Sequence, residues 1–151
     1  MIDTKNYSEM VEEFHKKLEE VPERITAIRP AEDSWSLKEI IGHLIDSASN
    51  NHQRFVRLQF DDLLGFPPYE AESWIRVQNY RDMDWGSLIT LWYSYNRILL
   101  KVIENMDDSA LENVWIKGEE ALPLSSIVKD YYRHFQWHIG HFEGRLKEVT
   151  E

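Results

Sequence analysis

Four runs of apolar residues at helical spacing constrain this chain more than any other feature. Between about Thr4 and Val21, Tyr7, Val11, Phe14 and Leu18 recur three or four residues apart with Glu and Lys between them, the pattern of a helix with one buried face. Pro22 then breaks the pattern. A second run opens at Ser36, where Ser-Leu-Lys-Glu forms a capping box: the Ser36 hydroxyl accepts from the third backbone N–H and Glu39 reaches back. Ile40, Ile41, Leu44 and Ile45 follow, and the helix can run to about Phe60. A third covers roughly Trp85 to Met106, with Leu88, Leu91, Trp92, Tyr95, Leu99, Val102 and Ile103 as its apolar positions. The fourth opens at Ser125 or Ser126 and runs to about Val149 through Ile127, Val128, Tyr131, Phe135, Phe142 and Leu146. Each helix can bury its stripe only against the others, so the prediction is an all-α four-helix bundle, one domain over residues 1–151.

Strand signal is weak by comparison. Val114 to Leu124 reads VWIKGEEALPL, a Gly in a polar turn between short apolar pieces, which suits a small hairpin or an extended connection. The link between the second and third helices, residues 61–84, is longer than ordinary connections. It carries Phe66, Tyr69, Trp74 and Tyr80, too many rings for a disordered linker, and is expected to fold over one end of the bundle.

Charge and composition narrow the function classes. The net charge is −10, from 27 acidic against 17 basic residues, and no basic run is present. That disfavours binding of nucleic acid, which needs a basic face, and of anionic membrane surfaces. There is no cysteine, so disulfides, thiolate metal sites and a cysteine nucleophile are excluded. The first ten residues have no signal-like apolar stretch, and no window approaches the length of a spanning helix. The expectation is a soluble cytoplasmic protein acting on a small molecule.

Three of the six histidines, His134, His138 and His141, lie in DYYRHFQWHIGHFEGRL. Spacings of four and three residues put all three on one helical stripe. Imidazoles four residues apart can reach one ion from one helix face, and a pair three apart can also do so; spacing alone does not choose between the pairs, or between a metal site and a polar stripe. His43 interrupts an otherwise apolar run in the second helix. It is either a hydrogen-bonded core residue or a third ligand. His15, among Glu and Lys, reads as a surface residue, and His52 falls on the opposite face from His43. An all-imidazole set suits zinc, nickel, copper or iron rather than calcium or magnesium.

Trp35, Ser36, Glu39 and His43 form a W-S-x-x-E-x-x-x-H opening, and about ninety residues later His134, Trp137, His138, Gly140 and Phe142 form an H-x-x-x-H closing pattern. Together these resemble the DinB/YfiT-like superfamily, over essentially the whole chain and including PYEAESW in the long connection. The resemblance implies a four-helix bundle with one divalent metal, zinc or nickel, held by His43, His134 and His138, leaving His141 beside them. Asp46, Asn50 and Arg54 follow His43 on the same stripe. YfiT-like sequences resemble this one in carrying polar residues there. Asp46 is a candidate to orient a ligand or accept a proton, and Asn50 and Arg54 to hold a polar or anionic part of a substrate; the alternative is a helix face with salt bridges to neighbouring helices. Asp130, one turn before His134, is another residue placed to hydrogen-bond a ligand imidazole. Tyr69 and Trp74 are the substrate-binding candidates of the connection.

The activity implied is that of a metal-dependent thiol S-transferase, joining a low-molecular-weight thiol to an electrophile with the metal lowering the thiol's pKa. The alternative is a metal-dependent hydrolase in which metal-bound hydroxide attacks a carbonyl with Asp46 as base. A separate class is a non-catalytic bundle that binds metal or a small molecule. Family members often form homodimers, which extends the expectation to this chain.

Overall fold

The capping box at Ser36 forms as its sequence dictates: Ser36 Oγ accepts from the Glu39 backbone N–H at 3.2 Å, and Glu39 Oε1 accepts from the Ser36 N–H at 2.9 Å. It starts helix α2, Leu37–Arg57. The structure, a computed structural model, describes residues 1–150. Besides α2, the long helices are α1 (Lys5–Glu19), α4 (Trp85–Glu104) and α5 (Leu124–Thr150); a short α3 (Ala71–Gln78) lies between α2 and α4. The long helices match the four predicted runs. Their ends differ by a few residues because the last turns loosen: after Arg57 the backbone continues in three-residue bonds, Gln59 N–H to Val56 O and Phe60 N–H to Arg57 O.

α2 is the central helix of the bundle, packed on both α4 and α5, while α1 covers α4 and α5. Every residue from Leu37 to Ala48 is buried, which is why polar side chains in that stretch need internal partners. Phe14 of α1 fixes the other side of the core, with Trp92, Phe135 and Phe142 rings at 5.3, 5.6 and 5.3 Å in edge-to-face arrangements. Among the described residues no helix is long and apolar enough to cross a membrane.

The connection at residues 61–84 runs along α2, from Phe66 beside Arg54 and Arg57 to Tyr80 over the N-terminal half of the helix. α3 is capped by the Glu70 carboxylate, which accepts from the Ser73 N–H, and ends at Asn79 in the left-handed conformation, φ 54°. Tyr80 then lies directly on Gly42 of α2. Its hydroxyl donates to Asp46 Oδ1 at 2.7 Å, and the Gln78 amide donates to both Asp46 oxygens at 2.9 and 3.0 Å.

VWIKGEEALPL is a hairpin, and it belongs to a small sheet that the helical patterns did not reveal. β2 (Val114–Lys117) pairs antiparallel with β3 (Glu120–Pro123), and β1 (Leu63–Leu64) adds parallel to β2 in the order β1-β2-β3. Gly118, at φ 63°, supplies the left-handed residue of the two-residue turn. The sheet brings the Trp115 ring to 4.1 Å from the Arg54 guanidinium of α2, and the indole N–H donates to Phe66 O of the connection at 3.0 Å.

Candidate metal centre

His43 lies in the all-round buried stretch of α2, and His134 and His138 lie one turn apart on the face of α5 that packs on it. Packing therefore brings together three imidazoles from two helices. His134 Nε2 stands 3.1 Å from His43 Nε2 and 3.0 Å from His138 Nε2. Ligand atoms of all three fall within 4.8 Å of one another. His43 and His138 are each 5% exposed.

The donor set fits a metal ion. His134 Nε2 carries either one proton or one lone pair, so it cannot form good hydrogen bonds to two neighbouring ring nitrogens at once. Three lone pairs directed at one ion resolve the conflict, and nitrogens bound at about 2.1 Å stand about 3.0–3.4 Å apart for angles between square and tetrahedral. His138 shows how its tautomer is set. With Nε2 turned to the cluster as a lone pair, the proton sits on Nδ1, which faces His141 Nδ1 at 3.3 Å. In that tautomer His141 Nδ1 accepts from His138 and holds its ring, the part that outer partners of metal-binding histidines play.

Burial keeps the cluster neutral. Desolvation, then the neighbouring His134, lowers the pKa of His43 to about 4 and that of His138 to about 3. Desolvation also lowers His134 and His141. Lone pairs are therefore available at neutral pH without competition from protons. The same depression fixes a pH dependence. Between about pH 6.5, where unfolded histidine titrates, and the folded values of about 4 and 3, the unfolded chain binds more protons. Stability of the metal-free protein is expected to be complete above about pH 6.5 and to fall as the pH drops through that window. Urea midpoints at pH 7.5 and 5 check this; equal midpoints contradict it.

Two pockets meet at His134. A cleft of about 500 Å³ opens over the cluster between Trp35 and Trp137, with Glu72 and Arg145 at its rim. The Trp35 ring lies 5.1 Å from that of His43, its N–H donates to Glu72 at 3.2 Å, and its carbonyl accepts from Arg145. A smaller pocket of about 200 Å³ lies on the other side of His134, between α2 and the hairpin, and takes in Ser47, Asn51, Arg54, Tyr69 and Trp115.

The other candidates separate. Arg54 and Tyr69 line the smaller pocket. Trp74 lines neither; it packs edge-on against Tyr69 at 5.3 Å and supports that ring. Asn50 also lines neither, because its amide turns back to Asp46 O at 2.9 Å. Asp46, 2% exposed, is held by Tyr80 and Gln78, and desolvation raises its pKa. Its carboxylate anchors the connection to α2 and is not among the residues that line the cluster cleft. Asp130 pairs with Arg133 at 2.6 Å and makes no bond to an imidazole. His15 is not a free surface residue: it stacks on Tyr93 at 3.8 Å. His52 bonds the Tyr95 hydroxyl at 2.9 Å, away from the cluster. Ser47 and Asn51 escaped the sequence reading. On a helical wheel Ser47 lies only about 40° from His43, a signal as legible as that of Asn50, but choosing between them required knowing on which side α5 packs.

Fold and centre together define a class: a four-helix bundle whose second and last helices join three histidines at the floor of an open cleft. Residues 6–142 match the family model of the DinB superfamily, and the chain belongs to that superfamily. It is similar to YfiT of Bacillus subtilis (strain 168), provisionally assigned as a metal-dependent hydrolase, with 21% identity over 139 residues covering 88% of this chain and 78% of YfiT. The solved structure of Bacillus subtilis YfiT, described as having an unusual four-helix bundle topology, matches with a TM-score of 0.82 at 17% identity, over 99% of this chain and 91% of that one. That likeness shows the shared fold.

Proposed function

We infer that the chain is a divalent-metal enzyme in which His43, His134 and His138 hold the ion, and that it transfers a small thiol onto an electrophile. The observation that carries the reading is the convergence of three neutral Nε2 atoms, 3.0 and 3.1 Å apart about His134, beneath an open cleft. A zinc or nickel ion there supplies a Lewis acid that lowers the pKa of a bound thiol.

The chain's own residues do the rest. His141 holds the His138 ring through Nδ1. Trp35 and Trp137 offer flat apolar walls for an electrophile, and Trp137, 65% exposed, leaves one side open for entry. Asp46, engaged by Tyr80 and Gln78, is not placed to take a proton from water. A bound thiol, once ionised, is the nucleophile without further help from the chain, and Asp46 adds nothing to the activation of water. Hydrolysis is the second reading, favoured by the assignment of YfiT and by Glu72 on the cleft wall.

Zinc-loaded protein given 2-mercaptoethanol and 1-chloro-2,4-dinitrobenzene separates the two. Thioether formation above the uncatalysed rate, abolished by a chelator, is expected. Cleavage of p-nitrophenyl acetate without thiol, and no thioether, would replace the transferase reading by the hydrolase.

A further inference from the structure

The mechanism above leaves one buried charge without a use. Arg54 is 6% exposed, yet no carboxylate of the described residues pairs with it. Its one hydrogen bond is a long one, Nη1 to Asn51 Oδ1 at 3.4 Å, and its Nε is buried with no partner. The guanidinium face rests on Trp115 at 4.1 Å, which satisfies the ring but not the in-plane N–H donors. A buried cation left this way is costly to the fold, and it lines the small pocket that shares His134 with the cluster cleft.

We propose that this pocket is a carboxylate-binding subsite, in which Arg54 takes a singly charged carboxylate of the molecule that reacts at the histidine cluster. The guanidinium fork matches a carboxylate with two parallel N–H donors. The neutral polar groups of Ser47, Asn51 and Tyr69 surround the position, and burial keeps the Tyr69 hydroxyl protonated, hence a donor. The charge count selects carboxylate over phosphate. One cation compensates one negative charge, and the only other charged side chain of the pocket is Asp130, a carboxylate already paired with Arg133. A dianion would leave a charge unpaired in a site of low dielectric. Arg54 lies eleven residues after His43, about 16 Å along the helix axis. The carboxylate and the reacting atom are therefore several bonds apart in the substrate. Linking the pocket to the substrate rests on the cluster being the reaction centre; the anion site itself does not.

The test uses metal-free full-length protein, with sodium butyrate, butyramide and methyl phosphate as probes and the Arg54 Nε–H signal in NMR as readout. Butyrate is expected to shift that signal saturably, with butyramide and methyl phosphate each at least about tenfold weaker. Arg54→Met should abolish butyrate binding and melt no lower than wild type, since it removes an unpaired buried charge. Should that variant not fold, Arg54→Lys, which keeps the charge but not the fork, is expected to bind butyrate about tenfold more weakly. Equal binding of butyrate and butyramide, binding of neither, or tighter binding of methyl phosphate would overturn the proposal. His43→Ala, outside this pocket, should keep butyrate binding while losing zinc. Wild type that binds butyrate but not zinc leaves the subsite standing and sinks the reaction-centre reading; zinc without butyrate does the reverse.

Discussion

Replacing His134 by alanine is expected to weaken zinc binding by more than about a hundredfold, the upper range for loss of an outer-shell partner. His134 is the middle member of the cluster, 3.1 Å from His43 and 3.0 Å from His138, so its removal leaves two nitrogens with no third to close the set. The fold is expected to survive. His134 is half-buried at the junction of the two pockets, and its neighbourhood is one cause of the low pKa values of His43 and His138. Its loss removes a buried imidazole whose proton uptake at pH 5 favours the unfolded chain, so the metal-free variant should be at least as stable as wild type there. His141→Ala supplies the comparison: it takes away an orienting acceptor and no ligand, and its loss should stay within about ten- to a hundredfold. Competition against a chromophoric chelator measures both. Equal losses in the two variants would contradict the distinction between His134 as a ligand and His141 as an orienting acceptor.

Gly42→Ala is expected to cost about 3 kcal/mol of folding stability. A Cβ at Gly42 would stand 2.2, 2.4 and 2.6 Å from Cδ2, Cγ and Cε2 of Tyr80, inside a ring that cannot flex out of the way. Tyr80 would have to leave, and its bond to Asp46 would go with it, stripping the buried carboxylate of one of its two partners. The damage should spread to the connection, because Asp46 is where Gln78 and Tyr80 tie it to α2. Gly140→Ala is the control: it sits in α5 near the cluster, but a Cβ there meets nothing within 4 Å, and helix propensity alone predicts a gain of about 0.5–1 kcal/mol. Urea unfolding of the two variants reads both effects, and a neutral Gly42→Ala would mean that Tyr80 does not lie on α2 as described.

The helices and the histidine cluster were legible because both obey local rules. Ser36 and Glu39 cap α2 through a three-residue spacing, and His134 and His138 share a face through a four-residue one. Spacing put His134, His138 and His141 on one face without choosing among them; the motif selected His134 and His138 and joined them to His43. What stayed hidden depends on contacts far apart in sequence. The role of Asp46 is set by Tyr80, 34 residues away, across a glycine. The small pocket is walled by Trp115, carried on a hairpin whose four-residue strands are too short to show a period. Helical spacing alone sets Asp46, Asn50 and Arg54 on one stripe. Packing turns Ser47 and Asn51 toward Arg54, and Asn50 away.

His43, His134 and His138 are assigned here as the holders of one ion. Crystals of tag-free protein loaded with zinc, measured on both sides of the zinc absorption edge, test that assignment most directly. A single anomalous peak per chain is expected, about 2.1 Å from Nε2 of each of the three histidines, with His138 Nδ1 still facing His141. No peak at the cluster, or a peak held by His138 and His141 without His43, would contradict it.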